Sequence, residues 1–140
     1  MPSRAFLDSN VFIFAFERPK SNSRRVVDLL AAGDLHGVVT DRVVREVMGY
    51  FRRRHGKDRA AQFRDFILLT CELVVESDLE IGRELQDFVG AKDGGAVAAT
   101  RSLGLAFLVS TDSDFERVPE HRTPRAFVEE LGGAPLHGDE

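Results

Sequence analysis

Short apolar stretches that end in polar residues alternate along this chain with stretches whose apolar residues recur every three or four positions. That alternation restricts the possible folds more than any other feature. "RAFLD" (4–8), "LHGVVT" (35–40), "CELVVE" (71–76) and "LAFLVST" (105–111) read as strands, each rich in Val, Leu or Phe. Between them lie one-faced helical patterns: Val26, Val27, Leu29 and Leu30 within 22–32; Val43, Val44, Val47, Met48 and Phe51 within 41–54; Phe63, Phe66 and Ile67 within 59–70. Ile81, Leu85, Phe88 and Val89 repeat the pattern, and Ala96, Val97, Thr100 and Leu103 do so more weakly. Gly33, Gly56 and Gly104 stand where helices should stop, and Pro124 opens a last short helix, "PRAFVEEL". A β/α order of this kind predicts a mostly parallel sheet with helices on both faces.

One segment is ambiguous. "FLDSNVFIFAFE" is compatible with a hairpin turning at Ser9-Asn10 or with a strand followed by a helix capped by Ser9 or Asn10, and the β/α order elsewhere favours the helix. Its Phe12, Phe14 and Phe16 form either core or an apolar docking face. A chain of 140 residues with 43% hydrophobic content supports one well-buried domain. That domain is expected over 1–132, with residues 133–140 as a mobile tail. The single cysteine, Cys71, cannot form an internal disulfide and reads as core packing; no secretory or membrane-spanning stretch is evident, so a cytoplasmic setting is expected. A net charge of -4 does not by itself advertise a polyanion partner.

In parallel sheets of this kind the functional crevice lies at the carboxyl ends of the strands. Four acidic residues fall there, each in a different βα unit. Asp8 ends the first strand, Asp112 ends the "FLVST" strand, Glu46 lies in the second turn of the helix after "GVVT", and Asp93 precedes the helix "GGAVAATRSLG". Singly, each has an ordinary explanation. Asp8 suits a turn, Asp93 an N-cap, and Glu46 a surface pair with Arg42 at i,i-4 spacing. Jointly they would converge as repelling charges, a conflict that a hard divalent cation such as Mg²⁺ or Mn²⁺ resolves.

"FLDSN", "TDRVVREV", "KDGGAVAATRSLGLAFLVSTDSDF" and "RTPRAFVEEL" together resemble the PIN domain, and in particular its VapC-like members; the resemblance spans nearly the whole chain. It implies a three-layer α/β/α sandwich (PIN-like) and a metal-dependent endoribonuclease acting on an RNA substrate. It also implies a homodimer and a cognate antitoxin protein. By matching position, Asp8, Glu46, Asp93 and Asp112 would form the acidic cluster, with Ser9 and Ser110 or Thr111 as supporting hydroxyls. Asp8, Asp93 and Asp112 would then hold one or two Mg²⁺ or Mn²⁺ ions, and Glu46 would orient or deprotonate the attacking water. Asp114, two residues farther along the turn, is assigned a supporting role. Two departures stand out: Ser110-Thr111 where many relatives have Thr-Asn, and Gly94-Gly95 where bulkier helix formers are usual.

Arg45, beside Glu46, is the best single phosphate contact by position, whereas "YFRRRHGKDR" suits a solvated helix end as readily as an RNA handle. His36, His55, His121 and His137 show no ligand spacing and read as surface residues. A haloacid-dehalogenase-like phosphatase needs an aspartate where Asn10 stands, and a receiver domain needs a late strand-end lysine that is absent. A PIN-like RNA-binding or assembly module without a toxin role is the alternative to the enzyme.

Overall fold

A computed structural model describes residues 2–137. Strands β1 (Ser3–Leu7), β2 (Leu35–Thr40), β3 (Cys71–Val74), β4 (Leu108–Val109) and β5 (His121–Arg122) form one sheet in the order β3-β2-β1-β4-β5. Every neighbouring pair is parallel. The helices are α1 (Ser9–Glu17), α2 (Asn22–Ala32), α3 (Asp41–His55), α4 (Lys57–Thr70), α5 (Arg83–Val89), α6 (Gly94–Ser102) and α7 (Pro124–Glu130). From β1 to β3 the chain steps one way across the sheet; from β3 to β4 it returns over β2 and β1. Right-handed crossovers therefore place α1 to α4 on one face and α5 and α6 on the other. The packing agrees: α1 lies on α2 and α3, α3 on α4, and α6 on β1, β2 and β4. The result is the α/β/α sandwich.

Coverage on both faces explains why β1 carries an unbroken apolar run, with Ala5, Phe6 and Leu7 fully buried. Each such Leu or Phe contributes about 2 kcal/mol by leaving water. Gly33, Gly56 and Gly104 all take positive φ, as helix stops should.

The ambiguous opening segment is strand then helix, but the cap differs from the expected one. Asp8 itself is the N-cap of α1, extended at φ -77 and ψ 160, with its carboxylate accepting the Ser9 N–H. The helix also dissolves the supposed phenylalanine face. Phe12 is buried, and Phe16 packs edge-on to Phe51 and Phe63, which stack at 4.1 Å. Phe14 points elsewhere, under the Arg18 guanidinium. Residues at i and i+4 share a helix face, whereas i+2 does not.

β5 was not expected, since "HR" has no apolar residue; it exists because Leu108 and Val109 offer it a ladder. At the other end, Leu136 exchanges two hydrogen bonds with the Asn22 side chain, at 2.7 and 3.1 Å, fastening the chain to α2. Of the expected tail, 138–140 lie outside the described residues.

Candidate functional site

The strand order reverses between β1 and β4, so the loops leaving their carboxyl ends diverge and open a crevice. Asp8 follows β1 directly and Asp112 follows β4 after Ser110 and Thr111. α3 brings Glu46 to the same crevice and the start of α6 brings Asp93, so that all four carboxylates line one cavity of about 320 Å³. The convergence expected from separate βα units is thus a property of the topology.

Ser110, fully buried, ties two of them together: its hydroxyl donates to Asp8 Oδ2 at 2.7 Å and accepts the Asp112 N–H at 2.9 Å. Ser9 is buried, and its hydroxyl donates to the Glu46 carboxylate. Thr111 is half-buried and does not line the cavity, so of the two candidate hydroxyls Ser110 makes the link. Asp112 is the N-cap of a single 3-10 turn, with Oδ1 accepting the Asp114 N–H at 2.9 Å. Asp114 itself is exposed.

Asp93 departs from its ordinary explanation. It occupies the N-cap position of α6, yet its carboxylate caps no backbone N–H, and the residue is only 8% exposed. Burial, followed by the negative charges of Asp112 and Asp8, pushes its pKa up to about 6. Burial likewise raises Asp8, against the hydrogen bonds from Ser110 and Ser9, and raises Glu46, with the Asp8 charge adding to the effect. Carboxylate oxygens of Asp93, Asp112 and Asp114 lie within 4.8 Å of one another, close enough to share one cation. The tightest group therefore includes Asp114, which sequence reasoning held to a supporting role, while Asp8 sits behind it with each oxygen accepting one hydrogen bond.

These shifts have a sign. A carboxyl whose folded pKa is raised contributes stability below its unfolded pKa and loses it as pH rises through the folded value. The Asp93 contribution to the stability of the metal-free protein should accordingly fall by on the order of 3 kcal/mol as pH rises from about 4 to 7, given its pKa of about 6. Glu17, Asp41 and Glu120 are held low and act in the opposite sense, so denaturant melts in EDTA should compare wild type with Asp93→Asn: the stability difference should move in favour of Asp93→Asn as pH rises, and a difference that stays constant contradicts it.

Basic residues share the cavity wall. Arg45 lines it but is tied to Asp41 at 2.8 Å, and Arg53, Lys92 and Tyr50 join it. Lys92 partly offsets the charges of Asp8, Glu46 and Asp93 and was missed in the sequence, although it immediately precedes Asp93. Arg42 does not pair with Glu46 as its spacing suggested; it binds both oxygens of Glu76, at 3.1 and 3.3 Å. The Glu76 N–H in turn donates to Asp41 at 2.8 Å. His121 is not a solvated surface residue: its Nε2 lies 2.9 Å from the Ser110 carbonyl oxygen, supporting the loop that carries Asp112. Cys71 is half-buried, and burial pushes its thiol up to about 11, so it is protonated at neutral pH and is no nucleophile.

The glycine pair after Asp93 also has a reason. A Cβ on Gly95 would fall 2.6 and 2.7 Å from the Glu76 carboxylate oxygens, so only glycine lets that side chain seat against the first turn of α6. Glu76 thereby links α6, which carries Asp93, to Arg42 of α3, which carries Glu46. Gly95→Ala should push the Glu76 carboxylate off this seat and loosen its pair with Arg42, a loss set against the roughly 1 kcal/mol by which alanine is better than glycine in a helix. In a thermal-melt cycle with Glu76→Ala the two substitutions should be non-additive, Gly95→Ala being more favourable once the Glu76 carboxylate is gone; additive effects refute the seating.

A profile of the PIN domain family matches residues 4–114. No curated protein matches the sequence. Among solved structures, a toxin-antitoxin complex from Klebsiella pneumoniae superposes with a TM-score of 0.59 at 20% identity, over 86% of this chain and 97% of that one. A DNA-bound VapBC from Salmonella typhimurium gives 0.58 at 16% identity, over 88% and 97%. VapC20 of Mycobacterium tuberculosis, a Sarcin-Ricin loop cleaving toxin, gives 0.53 at 16%, over 80% and 92%. At such identities the likeness speaks to fold.

Proposed function

The chain belongs to the PIN domain family, and from that premise we propose that it is a Mg²⁺- or Mn²⁺-dependent endoribonuclease, the toxin of a type II toxin–antitoxin pair. One observation carries the reading: Asp93 is a buried carboxylate that caps nothing and lies within 4.8 Å of two more carboxylates from another unit. A structural role would use its oxygens on the backbone. A hard cation, favoured by an all-carboxylate donor set, satisfies them instead.

Asp93, Asp112 and Asp114 would hold the ion, and Asp8 retains a free lone pair on each oxygen to join directly or through water. When bound, the ion supplies Lewis-acid polarisation of the scissile phosphate and a more acidic water. Glu46, half-buried with a raised pKa and oriented by the Ser9 hydroxyl, accepts the proton as the water oxygen bonds to phosphorus. The ester P–O bond opposite breaks and its oxygen takes up a proton from solvent. Arg45 offers a phosphate contact at the rim, where its pair with Asp41 is exposed enough to exchange.

An antitoxin is proposed as partner because two of the similar structures are toxin–antitoxin assemblies; a homodimer is proposed from the family resemblance. The absence of a helix long and apolar enough to cross a membrane, among the described residues, fits the proposed cytoplasmic setting. A panel of end-labelled RNAs incubated with the protein in Mn²⁺ and in EDTA tests the activity. Cuts that appear in Mn²⁺ and vanish in EDTA are expected; an uncut panel that is nonetheless bound would move the assignment to a binding module.

A further inference from the structure

The cavity is asymmetric. One wall holds the carboxylates, and the other is a single face of α3 on which Gly49, Tyr50 and Arg53 continue past Arg45 and Glu46. Residues at these spacings stack along one side of a helix, so the face runs from the acidic centre towards the helix's C-terminal end. This face offers a strand with its scissile phosphate among the carboxylates a path out of the cavity.

Tyr50 is held in place before any ligand arrives. Its hydroxyl donates to Glu17, its ring meets Phe51 edge-on at 5.2 Å, and the Arg54 guanidinium lies 5.3 Å over it. Tyr50 lines the cavity and Arg54 does not, so the cation over the ring stands outside the cavity wall. A fixed aromatic surface of this kind needs no ordering when a flat group stacks on it.

Arg53 complements it. The side chain is exposed and, among the described residues, has no ion-pair partner, unlike Arg45 with Asp41. Its position is also revealing: a Cβ on Gly49 would come within 3.2 Å of Arg53 Nη1, so the guanidinium folds back over Gly49 towards the acidic end of the cavity. A glycine there keeps the floor low beside the ring. A half-buried aromatic ring next to an unpaired guanidinium matches a nucleotide, base on the ring and phosphate on the cation.

We propose that Gly49, Tyr50 and Arg53 form a nucleotide subsite on α3, in which the base next to the scissile phosphate stacks on Tyr50 and the following phosphate pairs with Arg53. The proposal rests on the ribonuclease reading and names the strand it takes: single-stranded RNA, since a paired base reaches the ring only after an unpairing and unstacking that costs about a few kcal/mol.

The test measures binding apart from cleavage. A fluorescent single-stranded RNA 12-mer of mixed sequence is titrated with wild-type protein in Ca²⁺, alongside the same oligomer with abasic nucleotides throughout. The abasic strand should bind about tenfold more weakly to wild type, as should the intact strand to Tyr50→Leu. Tyr50→Leu should not discriminate between the two strands. Tyr50→Phe, which keeps the ring, should stay within about threefold of wild type for the intact strand. Arg53→Gln should lower the salt dependence of binding by about one phosphate contact. Equal affinity of wild type for intact and abasic strands would overturn the stacking subsite even if Tyr50→Leu proved unstable, and would leave the ribonuclease reading standing if Mn²⁺-dependent cuts persist. No RNA binding and no cutting by wild type would overturn both.

Discussion

Asp112→Asn is expected to lower Mn²⁺-dependent RNA cleavage by about a thousandfold or more while leaving the fold intact. Asparagine keeps the Oδ1 that accepts the Asp114 N–H, so the turn after β4 should close as before. The Asp112 N–H still donates to Ser110. What is lost is one formal charge from the group that Asp93, Asp112 and Asp114 form, and an anionic ligand worth several kcal/mol of transition-state stabilisation corresponds to that loss of rate. The metal-free variant should melt a few degrees higher than wild type, because the Asp112 charge is among the causes that raise Asp93. Asp114→Asn provides the comparison. Asp114 is exposed, so water can replace its carboxylate, and about a tenfold loss is expected. Wild-type rates in Asp112→Asn would remove it from the site; a loss confined to Asp114→Asn would exchange their roles.

Glu46→Gln should lower cleavage by roughly 10²–10⁴-fold, the usual contribution of a positioned acid–base group. Glutamine keeps an oxygen that can accept the Ser9 hydroxyl and fills the same volume, so binding of Mn²⁺ and RNA should persist. A loss of rate without loss of binding distinguishes a proton acceptor from a metal ligand. If Glu46→Gln instead weakens Mn²⁺ binding in step with rate, Glu46 completes the metal site rather than handling the proton.

The acidic cluster was legible because each member sits where an apolar run or a helical pattern meets a junction, and strand topology brings junctions of one sheet to one edge. Asp8 and Asp112 flank the reversal between β1 and β4 for that reason. Features that depend on side chains meeting from distant segments were not legible. Glu76 and Gly95 are nineteen positions apart in sequence, and only their contact explains the glycine. The preference of Arg42 for Glu76 over Glu46 likewise follows from the fold of the loop after β3, where the Glu76 N–H is tied to Asp41. β5 escaped notice because its pairing is supplied by β4 and not by its own two residues. The cap of α1 lies at Asp8 and not at Ser9 or Asn10 because Asp8 serves both as strand end and as cap, roles that periodicity cannot separate.

The central claim is that carboxylates from separate βα units form one divalent-cation site, and calorimetric titration of Mn²⁺ into EDTA-stripped protein at neutral pH tests it most directly. Saturable binding is predicted for wild type, and repeating the titration near pH 6, where burial leaves the Asp93 carboxyl about half protonated, should add a proton release that is nearly absent at neutral pH, because the carboxylate must be ionised to bind. Asp93→Asn should bind at least tenfold more weakly. Wild-type protein that takes up no Mn²⁺, or an Asp93→Asn variant that binds it as tightly, would contradict the account.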